Sequence, residues 1–288
     1  MTSPQAVTPE LRQWIIEQAR AGCPPDTVLA AMRSSGWDEA VALEALNHTL
    51  QDVLGSEAAA QAVAQALPQP VAVPEPALEG SPSVLWAHDR EVTVLLTMRH
   101  PRVVVFGGLL SHAECDELVA AAAPRMARSE TVVNATGGNE VNAARTSDGM
   151  FFGRGELPIC ARIERRIAAL VRWPVVNGEG LQVLHYRPGA EYKPHHDYFD
   201  PAQPGMAAVL RRGGQRVGTL VMYLNTPQQG GGTVFPDVQL EVAPIKGNAV
   251  FFSYDRPHAA TRTLHGGAPV LAGDKWVATK WLREGEFA

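Results

Sequence analysis

From Val84 onward, short β-rich runs alternate with clusters of glycine and proline, and this punctuation restricts the fold more than any other feature. The runs are VTVLLTM, RVVVFGG, LQVLHY, VGTLVMYLN, VFPDVQLEV, NAVFFSY and KWVATKWL. β-Branched and aromatic side chains dominate them, and such residues suit a pleated, half-buried surface. Many short strands separated by turn residues read as a sandwich or barrel. Two segments ahead of the main set, SHAECDELVAAAAPRMA and LPICARIERRIAALV, read as helices.

The N-terminal part has a different period. TPELRQWIIEQARAG places Leu11, Ile15, Ile16 and Ala19 on one face, which is helical spacing, with Thr8 as a capped start. Gly22 and the Pro24-Pro25 pair end that helix. PDTVLAAMRSSG predicts a second helix closed at Gly36, and WDEAVALEALNHTLQDVL a third capped by Asp38. Three short helices with a Gly-Trp turn resemble a ubiquitin-associated-like bundle, and a generic helical docking module is the other reading. The Ala-, Pro- and Gln-rich stretch that follows reads as an extended, semi-rigid linker. The expected organisation is a helical module at 1–54, a linker at 55–83 and a β-rich domain at 84–288.

Composition removes several function classes. The chain has 288 residues, a hydrophobic fraction of 45% and a charged fraction of 19%, ordinary for a globular protein. A net charge of -5 argues against nucleic-acid binding through phosphate contacts. No apolar run reaches the length of a membrane span, and the first residues lack the pattern of a secretory signal. Cys23, Cys115 and Cys160 are widely spaced, which suggests reduced thiols and a cytoplasmic location.

The chemistry is concentrated in His195-His196-Asp197 and in TLHGGAPVLAGDKWVATKW. In a strand, residues i and i+2 point to the same side. His195 and Asp197 can therefore offer one nitrogen and one oxygen to a single ion. His265, 68 residues after Asp197, supplies a third ligand, with His258 as its competitor seven residues earlier. Two imidazoles and one carboxylate on one face of a metal leave other positions open, as in non-haem Fe(II) oxygenases. His196 points to the opposite side of the strand and reads as a neighbour, not a ligand. His185 reads as a packed residue.

The segments LQVLHYRPGAEYKPHHDYF, GGQRVGTLVMYLNTPQQGGGTVFP, VAPIKGNAVFF and LHGGAPVLAGDKWVATKW occur in this order, preceded by LLSHAECDELVAAA and AARTSDGMFF. Together, over about residues 104–282, they resemble the prolyl 4-hydroxylase branch of the 2-oxoglutarate- and Fe(II)-dependent dioxygenases, of bacterial type. The resemblance implies a mainly β fold: a double-stranded β-helix, or jelly roll, with the two helices buttressing one sheet. Iron would sit in the mouth of the barrel. The resemblance favours His265 over His258, because LHGGAPV matches the family's distal-histidine segment and Lys275 lies ten residues beyond it.

An unpaired ammonium in a mostly apolar barrel is costly, and a dicarboxylate removes that cost. The resemblance implies that Lys275 pairs with the distal carboxylate of 2-oxoglutarate, whose other end chelates the metal and leaves one position for dioxygen. Tyr186 and Thr219 match positions where the family places hydroxyls near that carboxylate, and Trp281 matches a pocket wall. Arg145 matches a residue near the peptide channel, where its fork of donors suits carbonyls or carboxylates; a structural salt bridge is its alternative role. VVNATGGNEVN and DPAQPGMAAVLRRGGQR read as mobile loops able to close over substrate.

The implied activity is hydroxylation of an unactivated C–H, foremost C4 of a proline in a peptide or protein, with release of succinate and carbon dioxide. L-Ascorbate is the implied reductant. A dioxygenase acting on a free amino acid or another small metabolite is the alternative. Repair of alkylated bases is disfavoured, because those relatives anchor the cosubstrate through arginine. A catalytically inactive binding barrel is a third reading, opposed by the intact His195, Asp197, His265 and Lys275.

Overall fold

The computed structural model describes residues 6–54, 67–128, 130–132, 139–141 and 145–288. Its chain divides into two compact units, Met1–Pro70 with His258–Ala260, and Val71–Pro257 with Thr261–Ala288.

The smaller unit holds three helices, α1 (Pro9–Arg20), α2 (Pro25–Ser34) and α3 (Glu39–Leu54). Thr8 caps α1 by accepting from Leu11 N at 3.3 Å, and Pro9 occupies a first-turn position that needs no N–H. Asp38 opens α3 by accepting from Ala40 N at 2.9 Å and Val41 N at 3.3 Å. Leu11, Ile15, Val28, Leu29, Met32, Ala42, Leu46 and Leu50 form a common apolar core.

The larger unit is built from short strands. Those before the central pair of sheets are β1 (Val84–Ala87), β2 (Arg90–Met98), β3 (Arg102–Gly107), β4 (Ala127–Arg128), β5 (Glu130–Val132), β6 (Asn139–Val141) and β7 (Asp148–Phe152). Then come β8 (Leu181–Tyr186), β9 (Tyr192–His195), β10 (Arg216–Tyr223), β11 (Gln229–Gly230), β12 (Thr233–Phe235) and β13 (Leu240–Val242). The last are β14 (Ala249–Ser253), β15 (His265–Gly267), β16 (Val270–Ala272) and β17 (Lys275–Arg283). A large sheet has the order β1-β2-β3-β14-β10-β17-β8-β7-β4, and a small one the order β13-β12-β15-β9. From β8 onward the chain passes repeatedly between these two sheets, which is the winding of a double-stranded β-helix. The expected jelly-roll architecture is therefore present.

Period-two alternation sorts the side chains. On β8, Leu181 and Val183 join one core while Leu184 and Tyr186 join another; Phe251 and Phe252 on β14 divide in the same way. The first core is shared with α4 (His112–Ala122) and α5 (Pro158–Leu170), the two expected buttressing helices. Ser111 and Glu114 form a capping box on α4, and Ile159, Ile163, Ile167 and Leu170 give α5 its buried stripe. The second core lies on the other face of the large sheet and leads to the site.

Two expectations change in detail. VFPDVQLEV is not one strand: Pro236 lacks the N–H that a continued ladder needs, and Gln239 has φ +53°, so the run folds into the β12–β13 hairpin. Residues 55–66 of the expected linker lie outside the described residues. Residues 71–83 belong to the larger unit, and the boundary expected at 84 falls behind this docked strap. Val71 N donates to Asp255 O and Glu75 N to Val171 O, each at 2.8 Å. Arg102 pairs with the Glu75 carboxylate. Pro74 lies so close to Gly218 that a Cβ there would sit 2.6 Å from Pro74 Cγ. A proline-rich segment makes few ladder bonds, yet its rings still offer apolar surface to a sheet.

Candidate active site

His195 closes β9, and its direct partner across the antiparallel β9–β15 pair is His265. Asp197 follows in a bend just beyond the strand, so the i, i+2 geometry of a strand is not what directs its carboxylate. It is brought in by the chain turning back after His195. The outcome is a cluster of His195, Asp197 and His265 whose ligand atoms all lie within 4.8 Å of one another. Asp197 Oδ1 is 3.6 Å from His195 Nε2, and Oδ2 is 3.4 Å from His265 Nε2.

Ring orientation is fixed behind the ligand atoms. His195 Nδ1 lies 2.9 Å from Lys193 O, and His265 Nδ1 lies 2.9 Å from Thr263 O, so each ring presents Nε2 to the centre. Burial and the neighbouring His265 push the His195 pKa down, favouring the neutral ring that ligation needs. Burial pushes the Asp197 carboxyl up, but His265 and His195 outweigh it and hold it well below the usual range. Two imidazole nitrogens and one carboxylate match the donor set of a facial Fe(II) site.

The other histidines stand apart from this cluster. His196 stacks on Tyr198 at 4.6 Å. His258 Nδ1 accepts from Ala260 N at 3.0 Å. His185 stacks on Trp276 at 4.2 Å and lies 3.0 Å from Asp274 Oδ2.

Lys275 opens β17 directly opposite Tyr186, and both line the cavity that contains the triad. Lys275 is only 4% exposed, makes no salt bridge among the described residues, and holds its Nζ 5.3 Å from the Tyr186 ring centre. Burial lowers its pKa to about 8, with Glu241 partly opposing. A buried cation without a carboxylate partner fits a dicarboxylate cosubstrate. Trp281 also lines the cavity, and its buried indole N–H has no hydrogen-bond partner among the described residues.

Thr219 sits opposite Trp281 and lines the same cavity, but its hydroxyl donates to Asp197 Oδ2 at 2.7 Å and so is not aimed at a cosubstrate. Thr233, which the motif reading passed over, is a second cavity hydroxyl and accepts from Tyr223 OH at 2.8 Å. Arg145 bridges to Tyr192 and places its guanidinium 4.1 Å above that ring, which in turn stacks on His195 at 3.7 Å.

Sequence reading also missed the ionic group beside the cavity wall. Glu179 accepts from Arg216 Nε at 2.6 Å and Nη2 at 2.8 Å, and from Arg283 Nε at 2.6 Å. Arg216 in turn covers the Trp281 ring at 3.9 Å. No local pattern links these residues, which lie 37 and 104 positions apart. Of the two expected lid loops, residues 133–138 and 142 of the first lie outside the described residues. The second contains α6 (Met206–Leu210), and Gln215 ties its ends by accepting from Phe199 N and donating to Phe199 O, each at 2.7 Å.

A sequence profile described as the 2OG-Fe(II) oxygenase superfamily matches residues 181–283. Prolyl 4-hydroxylase 5 of Arabidopsis thaliana is 40% identical over 209 residues, 65% of this chain and 70% of its own length. Prolyl 4-hydroxylase 1 of the same plant is 40% identical over 225 residues, 69% of this chain and 77% of its own. Among solved structures, the viral collagen prolyl hydroxylase of Paramecium Bursaria Chlorella virus-1 in its 2OG complex is 30% identical. Its TM-score is 0.48, covering 63% of this chain and 95% of its own. The curated relatives are plant proteins and lend no support to the bacterial type expected from the motifs. Identity at this level over most of those relatives, with the triad assembled in the larger unit, places the chain in the prolyl 4-hydroxylase family of 2-oxoglutarate- and Fe(II)-dependent oxygenases.

Proposed function

We propose that this chain hydroxylates C4 of a proline within a peptide or protein. The observation that carries the reading is the shared cavity of the His195–Asp197–His265 triad and the buried Lys275, which has no salt bridge among the described residues, in a chain 40% identical to a plant prolyl 4-hydroxylase. Fe(II) and 2-oxoglutarate are the cofactors. When bound they supply the oxidising power, one oxygen of dioxygen entering the product hydroxyl and the other the succinate left after loss of carbon dioxide.

The chain's own residues bind and orient. His195, Asp197 and His265 hold the metal. Lys275 holds the distal carboxylate of 2-oxoglutarate, helped by the hydroxyls of Tyr186 and Thr233. Trp281 walls the cavity and offers its indole N–H. Arg145 meets a peptide carbonyl, a role supported by its position in the cavity lining over Tyr192. Leu184, Val221 and Val277 supply the apolar part of the lining, which limits water beside the reacting groups. Ascorbate serves as the reductant that restores the metal after uncoupled turnover.

The test is succinate release from 2-oxoglutarate with Fe(II), across proline-containing peptides and free proline. Stimulation by peptides alone is expected. Stimulation by free proline alone would favour the small-metabolite reading, and no stimulation by either would refute proline hydroxylation.

We further propose that the three-helix unit, ubiquitin-associated-like in outline, holds a macromolecular partner. Its separate core supports this role. A chain starting at Val71 should then keep its kcat/KM on a short peptide. The three cysteines are free, which supports a cytoplasmic location.

A further inference from the structure

Thr219 lies on β10 with no exposed surface, and Tyr254 follows directly after β14 at 2% exposure. Thr219 Oγ1 is 2.7 Å from Asp197 Oδ2, and Tyr254 OH is 2.9 Å from the same Thr219 oxygen. The directions of these bonds are forced. An ionised carboxylate can only accept, and a threonine hydroxyl has a single hydrogen to give. Thr219 therefore donates to Asp197, and Tyr254 must donate to Thr219. Burial, reinforced by Asp197, keeps the Tyr254 phenol protonated for that role.

This arrangement answers a problem set by the backbone. Asp197 lies beyond the end of β9, where no strand geometry directs its carboxylate. Thr219 engages Oδ2, lowers its basicity and leaves Oδ1 the stronger donor. A carboxylate so divided acts as a one-oxygen ligand, which keeps further positions open on a metal held by two histidines and one carboxylate. Successive hydrogen bonds polarise one another, so the phenol strengthens the bond that the threonine makes. The single hydrogen also means that Thr219 cannot serve both Asp197 and a cosubstrate carboxylate.

We propose that Tyr254 and Thr219 are positioning residues that fix Asp197 as a one-oxygen ligand and thereby set the affinity of the centre for a divalent cation. The inference rests on reading His195, Asp197 and His265 as the metal ligands.

The experiment is Co(II) titration of the full chain, followed by visible absorption, for wild type and for Thr219→Val, Thr219→Ser, Tyr254→Phe and Asp197→Ala. Loss of such outer partners weakens metal binding about 10–100-fold, which is the loss expected for Thr219→Val. Thr219→Ser should restore both affinity and spectrum. Tyr254→Phe should weaken binding by a smaller factor. At saturating metal, Thr219→Val should leave the KM for 2-oxoglutarate unchanged.

Wild-type affinity in Thr219→Val overturns the proposal. So does a Thr219→Ser variant as weak as Thr219→Val, which would indicate packing, or a Thr219→Val variant altered only in its KM for 2-oxoglutarate. Should Thr219→Val not fold, wild-type affinity and spectrum in Tyr254→Phe overturn the proposal instead. A wild type that binds Co(II) no better than Asp197→Ala would remove the ligand reading itself, and this inference with it.

Discussion

Replacing Lys275 with methionine should raise the stability of the cofactor-free protein while weakening 2-oxoglutarate binding. The side chain is 4% exposed, and its pKa falls from 10.5 to about 8. At 1.36 kcal/mol per pKa unit, the charged form is disfavoured by about 3 kcal/mol at neutral pH. The folded-state pKa lies below the unfolded one, so between pH 8 and 10.5 the unfolded chain binds more protons and stability rises with pH. Below about pH 8 the full penalty applies. Methionine keeps an apolar stem of similar length without the charge. The variant should gain up to about 3 kcal/mol at pH 7, or roughly 6–12 °C in Tm for a domain of this size, and its stability should lose the rise above pH 8. In function the order reverses. A charge-assisted contact to a carboxylate is worth about 1.5–3 kcal/mol, which corresponds to roughly a 10- to 150-fold higher KM for 2-oxoglutarate. Wild-type affinity for 2-oxoglutarate should itself decline above pH 8, as the free ammonium loses its proton, and this decline should vanish in the variant. The assays are denaturation of the cofactor-free protein from pH 7 to 10.5 and 2-oxoglutarate kinetics at saturating Fe(II) and peptide. A variant less stable at pH 7, or one with an unaltered KM for 2-oxoglutarate, would refute the reasoning.

His195→Ala, Asp197→Ala and His265→Ala should each abolish turnover and weaken metal binding, whereas His196→Ala and His258→Ala should keep both; metal titration with succinate release checks this. Gly218→Ala drives a Cβ to 2.6 Å from Pro74 Cγ. It should lower stability by about 1–3 kcal/mol, and by the same logic a chain starting at Val71 should melt above one starting at Ser83. Glu179→Gln weakens the charge pairing of two largely buried arginines and should cost up to about 3–5 kcal/mol, read by chemical denaturation.

Much of this was legible in the chain as written. Helical period and capping residues defined α1 and α3, because a helix is closed by contacts three or four residues apart. Alternation defined β8, β10, β14 and β17, because a strand buried on both faces still sends successive side chains to opposite sides. The resemblance singled out His265 and Lys275 by their order along the chain. Local pattern failed where one residue interrupts it, as Pro236 does in VFPDVQLEV; it named Asp197 as a ligand but not the bend past the strand end that directs it. It also failed for proline-rich residues 71–83, whose docking depends on a sheet formed elsewhere.

The sequence by itself determined which side chains face inward and which donor types the site would hold. Only the tertiary structure decided which of them meet. Strand order and register set His195 opposite His265 and Lys275 opposite Tyr186. The same packing turns Thr219 toward Asp197, 22 residues away, and gathers Arg216 and Arg283 onto Glu179. The physical reason is one of range. Backbone hydrogen bonding and side-chain alternation act over a few residues and are written in the local sequence. A carboxylate's partner across a barrel is fixed only when two sheets close on a shared core.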